Sequence, residues 1–122
     1  MPGVDTQPVS DVADLTARMR AFTEARDWVR FHDLESLTLA MTGEVEEVAE
    51  LVQCLPVSVA FDVMDERLRE RLGEELADVL LYLVRLADVA GIDLGAEAAK
   101  KLTRNESRFP ADDNRGVAPE RH

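Results

Sequence analysis

Cysteine is nearly missing from this chain: Cys54 stands alone among 122 residues. No intramolecular disulfide can form, and a reducing compartment is the natural expectation. Long apolar runs are missing too. The longest, residues 79–84, is stopped by Arg85, far short of the roughly 20 residues that cross a bilayer. The first ten residues lack the basic-then-apolar order of a secretory signal, so a cytoplasmic protein with no membrane partner is expected. Positive charge is scarce. The 14 Lys and Arg against 25 Asp and Glu give a net charge of -11, a surface that repels nucleic acid and anionic membranes. A phosphorylated ligand would need a metal or a local basic cluster. No glycine-rich phosphate loop, strand-like alternation or internal repeat is present. The two histidines, His32 and His122, stand outside any Glu-x-x-His motif, which argues against a histidine-ligated di-iron bundle.

What is present is helical periodicity at a length that suits one domain. Residues 1–10 are expected to be a flexible lead-in. Ser10 or Asp11 can cap a first helix reaching about Asp27, with Val12, Leu15, Met19 and Phe22 on its apolar stripe. Residues 28–33 break that pattern and gather the only Trp, a Phe and a His, a notable concentration in a chain that is 5% aromatic. A second helix is predicted over residues 35–55, with Leu37, Met41, Val45, Val48, Val52 and Leu55 at spacings of three and four, ended by Pro56. A third, over residues 65–90, carries Leu68, Leu72, Leu76, Val79, Leu80, Leu83, Leu86 and Ala90. That stripe is wide enough to require more than one neighbour. Gly91 supplies its stop, and Asp93 caps a fourth helix to about Asn105. Residues 111–122 are polar and are expected to be a disordered tail, leaving one all-α domain over residues 11–110.

Two acidic pairs, Glu44-x-x-Glu47 and Glu75-x-x-Asp78, fall inside the second and third helices. Spacing i, i+3 brings both carboxylates of each pair to one helix face. Such pairs are common as solvated surface, but these sit in apolar sequence, and Asp78 precedes the core-like run of residues 79–84. Carboxylates in such a setting need a cation. If the two helices pack antiparallel, four oxygen-bearing groups converge on one point. All-oxygen ligation suits Mg2+ or Mn2+ rather than zinc or redox iron, and Mg2+ so held usually completes its shell with substrate phosphates. Glu46 faces away from Glu44, while Glu50, one turn beyond Glu47, is a possible outer member of the site.

Further motifs join these pairs: Arg26-Asp27-Trp28, Phe31-His32, Gly43-Glu44-Val45-Glu46-Glu47-Val48-Ala49-Glu50-Leu51, Glu74-Glu75-Leu76-Ala77-Asp78-Val79-Leu80-Leu81-Tyr82-Leu83, and Lys101-x-x-x-Asn105-x-x-Arg108-Phe109-Pro110. Together and in this order they resemble the MazG-like, all-α nucleoside triphosphate pyrophosphohydrolases, and within them the dCTP pyrophosphatase type. The resemblance implies a four-helix bundle completed by oligomerisation into a homodimer or a dimer of dimers. It implies cleavage of a (d)NTP to the monophosphate and pyrophosphate, with Glu44, Glu47, Glu75 and Asp78 as Mg2+ ligands.

The roles carried over agree with side-chain chemistry. Trp28 and Phe31 can stack on or enclose a base, His32 can hydrogen-bond it, and Tyr82, one turn beyond Asp78, can reach the sugar. Lys101 and Asn105 share a helix face and suit phosphate oxygens, with Arg30 a further cation for the departing pyrophosphate. Glu47 is the expected base for the attacking water. The chain departs from the dCTP-cleaving pattern at the rim: Cys54 replaces a usual Trp, Leu34-Glu35-Ser36 replaces a segment of Pro, a basic residue and Asn, and Glu46 replaces a small residue. These changes bear on base selectivity, with dUTP or a modified nucleotide as other expected substrates. A reading from another class takes the acidic stripes as solubilising and the chain as a non-catalytic helical interaction module.

Overall fold

The structure, a computed structural model, describes residues 11–53, 55 and 65–118. Every regular element among them is helical. α1 spans Val12–Ala25, α2 Leu34–Val52, α3 Glu66–Val89 and α4 Leu94–Arg108, with a single 3-10 turn at Val29–Phe31 and a one-turn helix, α5, at Ala111–Asn114. α2 lies along α3 in the most extensive contact of the fold, α1 packs on α3 from another side, and α4 touches α1 and α3 more lightly.

One chemical device starts all four main helices. Asp11, Asp33, Asp65 and Asp93 each take an extended conformation and accept a hydrogen bond from the backbone N–H three residues on, at 2.8, 2.7, 2.8 and 3.1 Å. Each satisfies an orphan donor of the first turn and so stabilises its helix. Asp33 also accepts from the Ser36 hydroxyl at 2.9 Å. The backbone N–H of Ser36, first, and its hydroxyl hold the Asp33 carboxyl below the usual range.

Two helices end the same way. At the end of α3, Gly91 has φ 71°, and the N–H groups of Gly91 and Ile92 reach back to Asp88 and Ala87 at 3.1 and 2.8 Å. This is the Schellman arrangement, whose left-handed residue is usually glycine. α1 ends with the same pair of bonds, Asp27 to Glu24 and Trp28 to Thr23, both 3.1 Å. Here Asp27 takes the positive φ, 54°, which Asp tolerates better than most side chains.

Four expectations shift. α1 stops at Ala25 rather than Asp27 because that turn closes over it. α2 begins at Leu34 and ends at Val52 instead of running over 35–55, since Asp33 caps it and Leu55 N–H turns back to Val52; Pro56 and the linker after it lie outside the described residues. α4 continues past Asn105 to Arg108. α5 lies in the stretch expected to be disordered, its last residue tied back by Asn114 Nδ2 donating to the Pro110 carbonyl at 2.9 Å.

The core is small and sits around the second half of α3. Among the described residues Leu37, Val84, Ala87, Thr23 and Arg85 are buried, drawn from α1, α2 and α3. The wide apolar stripe of α3 is covered there, as predicted, by two neighbours. Leu76 and Leu80, near the middle of α3, remain exposed. An arginine, in contrast, is buried.

Candidate active site

The packing of α2 on α3 brings the two acidic pairs together. One carboxylate oxygen each from Glu44, Glu75 and Asp78 lies within 4.8 Å of the others. Glu44 and Glu75 are half-buried and Asp78 is exposed, so the cluster opens to solvent on one side. Oε2 of Glu75 is buried and has no hydrogen-bond partner among the described residues. A buried anionic oxygen without a donor is costly, and a cation at this point would satisfy it. The donor set is oxygen only, which fits a hard divalent ion.

Glu47 stands beside this group rather than inside it. A hydrogen bond to Glu75, the Glu75 charge, partial desolvation and the Asp78 charge together hold its carboxyl above the usual range. Arg71, one turn before Glu75 on α3, opposes that rise. Glu47 therefore holds a proton more readily than an ordinary glutamate, because its neighbours are anions. Glu46 and Glu50 are exposed and outside the cluster.

The aromatic segment before α2 is a fixed clip. The Schellman turn anchors its start, Phe31 N–H and His32 N–H bond back to Trp28 and Val29 at 2.9 and 3.0 Å, and the Asp33 cap anchors its end. Trp28 packs edge-on against Phe22, ring centres 5.7 Å apart, and the Arg26 guanidinium covers Phe22 at 3.7 Å. Trp28 and Phe31 nevertheless stay largely exposed, at 44% and 59%. Arg30 pairs with Asp27 at 3.3 Å and lies over the Phe31 ring. His32 is turned inward, where its Nδ1 accepts a hydrogen bond from Arg85 Nε at 3.0 Å. Tyr82 lies half-buried on α3 one turn beyond Asp78. Lys101 is exposed and Asn105 half-buried on α4, and neither side chain bonds to the acidic cluster. Cys54 lies outside the described residues.

Three participants escape a reading of the sequence: Arg71 beside Glu47, and Arg85 with Asp88 behind His32. Arg85 breaks an apolar run, and the only signal for its burial was that a charge stood where the core stripe continues.

Residues 32–111 match the family profile described as MazG nucleotide pyrophosphohydrolase domain. The chain is 41% identical over 98 residues to dCTP pyrophosphatase 1 of Bos taurus, covering 80% of this chain and 58% of that protein. It is 38% identical over 105 residues to dCTP pyrophosphatase 1 of Homo sapiens, covering 85% and 62%. The chain spans 58% to 66% of the length of the curated relatives it matches. Among solved structures it resembles a pyrophosphatase from Archaeoglobus fulgidus DSM 4304 with a TM-score of 0.72 at 31% identity, over 88% of this chain and 99% of that one.

Proposed function

Since the chain belongs to the MazG nucleotide pyrophosphohydrolase family, we propose that it hydrolyses a deoxynucleoside triphosphate, dCTP or a related or modified nucleotide, to the monophosphate and pyrophosphate. The observation that carries this reading is the meeting of Glu44, Glu75 and Asp78 around the unpartnered Oε2 of Glu75. Those three carboxylates, with Glu47 at their edge, would hold Mg2+, or Mn2+ in its place. When bound, such an ion offsets triphosphate charge and lowers the pKa of water.

The residues then divide the work. Glu47, at the edge of the cluster, orients the attacking water and takes its proton. Water adds to phosphorus, the bridging P–O bond between the α and β phosphates breaks, and pyrophosphate leaves with the bond's electron pair. Lys101 and Arg30 offset charge on the leaving group, and Asn105 hydrogen-bonds phosphate oxygens. Trp28 and Phe31 offer exposed aromatic faces to the base, with His32 and Tyr82 on the nucleoside.

The test is an assay of the purified chain with all common dNTPs and several modified ones, in Mg2+ and in Mn2+. Pyrophosphate and the monophosphate are expected in equal amounts, with dCTP or a close relative preferred. No release from any of them by folded protein would refute the proposal.

The reading includes a homo-oligomer, a dimer or a dimer of dimers. Leu76 and Leu80, exposed one turn apart on α3, and the small core favour a second copy as their cover. Sedimentation equilibrium should return a multiple of 13.6 kDa, and a monomer at micromolar concentration would remove this part.

A further inference from the structure

Arg85 is an arginine in a core position, and its bonding explains why it is there. It is 5% exposed. Its Nη1 donates to Asp88 Oδ2 at 3.2 Å, and Asp88 in turn accepts two bonds from Arg20 on α1. A second donor, Nε, points to Nδ1 of His32 at 3.0 Å. A guanidinium has donors and no acceptor, so His32 Nδ1 must be the bare nitrogen and the ring proton must sit on Nε2. Arg85 cannot turn away without parting a buried cation from its carboxylate. Burial, first, and the Arg85 charge push the His32 pKa below its ordinary value, so the imidazole stays neutral in this one form.

The position of the pair on α3 gives that form a use. Glu75, Asp78, Tyr82 and Arg85 recur at i, i+3, i+7 and i+10, which is one stripe of the helix. Asp78 and Arg85 are two turns apart, about 10 Å at 1.5 Å per residue. The acidic cluster stands at one end of this stripe and His32 at the other. A nucleotide whose phosphates lie at the carboxylates would bring its nucleoside toward His32.

We propose that Arg85 is a positioning residue that fixes His32 as a hydrogen-bond donor through Nε2, so that His32 selects an acceptor, a carbonyl oxygen or an unprotonated ring nitrogen, on the nucleoside of the substrate. This rests on the reading of His32 as a substrate contact. It adds that the contact has a direction set from behind, by a residue that does not touch substrate.

The experiment combines two readouts on the full chain. Nitrogen-15 NMR of the ligand-free protein, with His32 assigned by its loss in His32→Ala, should show the Nε2–H tautomer and a titration midpoint below that of an ordinary histidine. Arg85→Met keeps much of the length and apolar stem without a donor, and should give mixed tautomers and a higher midpoint. Arg85→Lys retains a donor and should restore the wild-type form. In steady state, Arg85→Met should raise KM for the preferred dNTP by roughly 10-fold at most, the scale of one neutral hydrogen bond. Its kcat should change less, and its kcat/KM ratios across the dNTP panel should narrow.

A wild-type His32 that carries its proton on Nδ1 overturns the role of Arg85, even if the variants fold poorly. The expected tautomer change with KM and base preference unmoved in both Arg85→Met and His32→Ala overturns selection by His32, while leaving the pyrophosphohydrolase reading in place. A chain inactive on every dNTP overturns that reading and substrate selection with it, and the NMR result still decides whether Arg85 sets the tautomer.

Discussion

Glu75→Gln is expected to cut pyrophosphate release by at least about 100-fold and, in metal-free buffer, to raise the melting temperature. The two effects have one origin. Glu75 meets Glu44 and Asp78 within 4.8 Å, presses on Glu47, and keeps one buried oxygen without a donor. Glutamine has the same shape but no charge, and its amide can donate to the carboxylates that remain. In the metal-free protein this removes like-charge repulsion and can satisfy neighbouring acceptors, so the fold gains.

For activity the same change removes an anionic ligand from the proposed ion. Loss of groups that merely orient a metal ligand costs 10- to 100-fold, and loss of a ligand should cost no less. Wild-type protein should melt higher as Mg2+ is added, by binding to the native state, and Glu75→Gln should show a smaller rise. Parallel melts in chelator and in Mg2+, with a pyrophosphate assay, check all three results. An undiminished rate would take Glu75 out of the machinery. A lower melting temperature in chelator would mean that the carboxylates are not strained against one another. The trade of stability for activity is typical of charged sites.

Asp88→Ala should cost about 3 kcal/mol or more of folding stability at pH 7. Asp88 is 14% exposed and joins Arg85, 6% exposed in its side chain, to Arg20. Deleting it leaves Arg85 as a buried cation with a histidine nitrogen as its remaining partner, and that stranded charge is the larger loss. Arg20→Ala is the control. Arg20 is half exposed, and its removal leaves Asp88 paired with Arg85, so the cost should be much smaller.

The acid limb gives a second check. The hydrogen bond from Arg20, first, followed by the charges of Arg20 and Arg85, holds the Asp88 carboxyl below its usual value against an opposing effect of burial. A depressed folded-state pKa means that Asp88 stabilises the fold fully above the unfolded value of about 3.9, and that this is lost as pH falls through the lower folded value. The gap between wild type and Asp88→Ala should therefore shrink below about pH 4. Denaturant titrations across that range measure it. If Asp88→Ala costs no more than Arg20→Ala, the buried ion pair does not anchor α1 to α3.

Much of this protein is readable before any folding is known, and the residues concerned share one property. The caps at Asp11 and Asp93, the stop at Gly91 and the i, i+3 spacing of the acidic pairs depend on neighbours within a turn or two, where backbone geometry alone sets the relation. The family resemblance extends that legibility across the chain because its motifs lie on these same helices. Glu44 and Glu75 could be expected to meet, since two apolar stripes on consecutive helices have few ways to pack.

Legibility fails where a side chain takes its partner from far along the chain. Arg85 reads as the end of an apolar run, yet it is buried because His32, 53 residues earlier, and Asp88 satisfy it, and Asp88 in turn holds Arg20, 68 residues away. Leu76 and Leu80 read as core, yet both stay exposed, on a face of α3 that its packed neighbours leave open. Sequence by itself determined the four main helices, the caps at Asp11 and Asp93, the stop at Gly91 and the identity of the acidic groups, because local geometry and side-chain chemistry suffice for those. Tertiary structure alone decided that Glu47 stands beside the cluster with its proton held tighter, and that His32 faces Arg85, because burial and charge proximity exist only once distant segments are packed against one another.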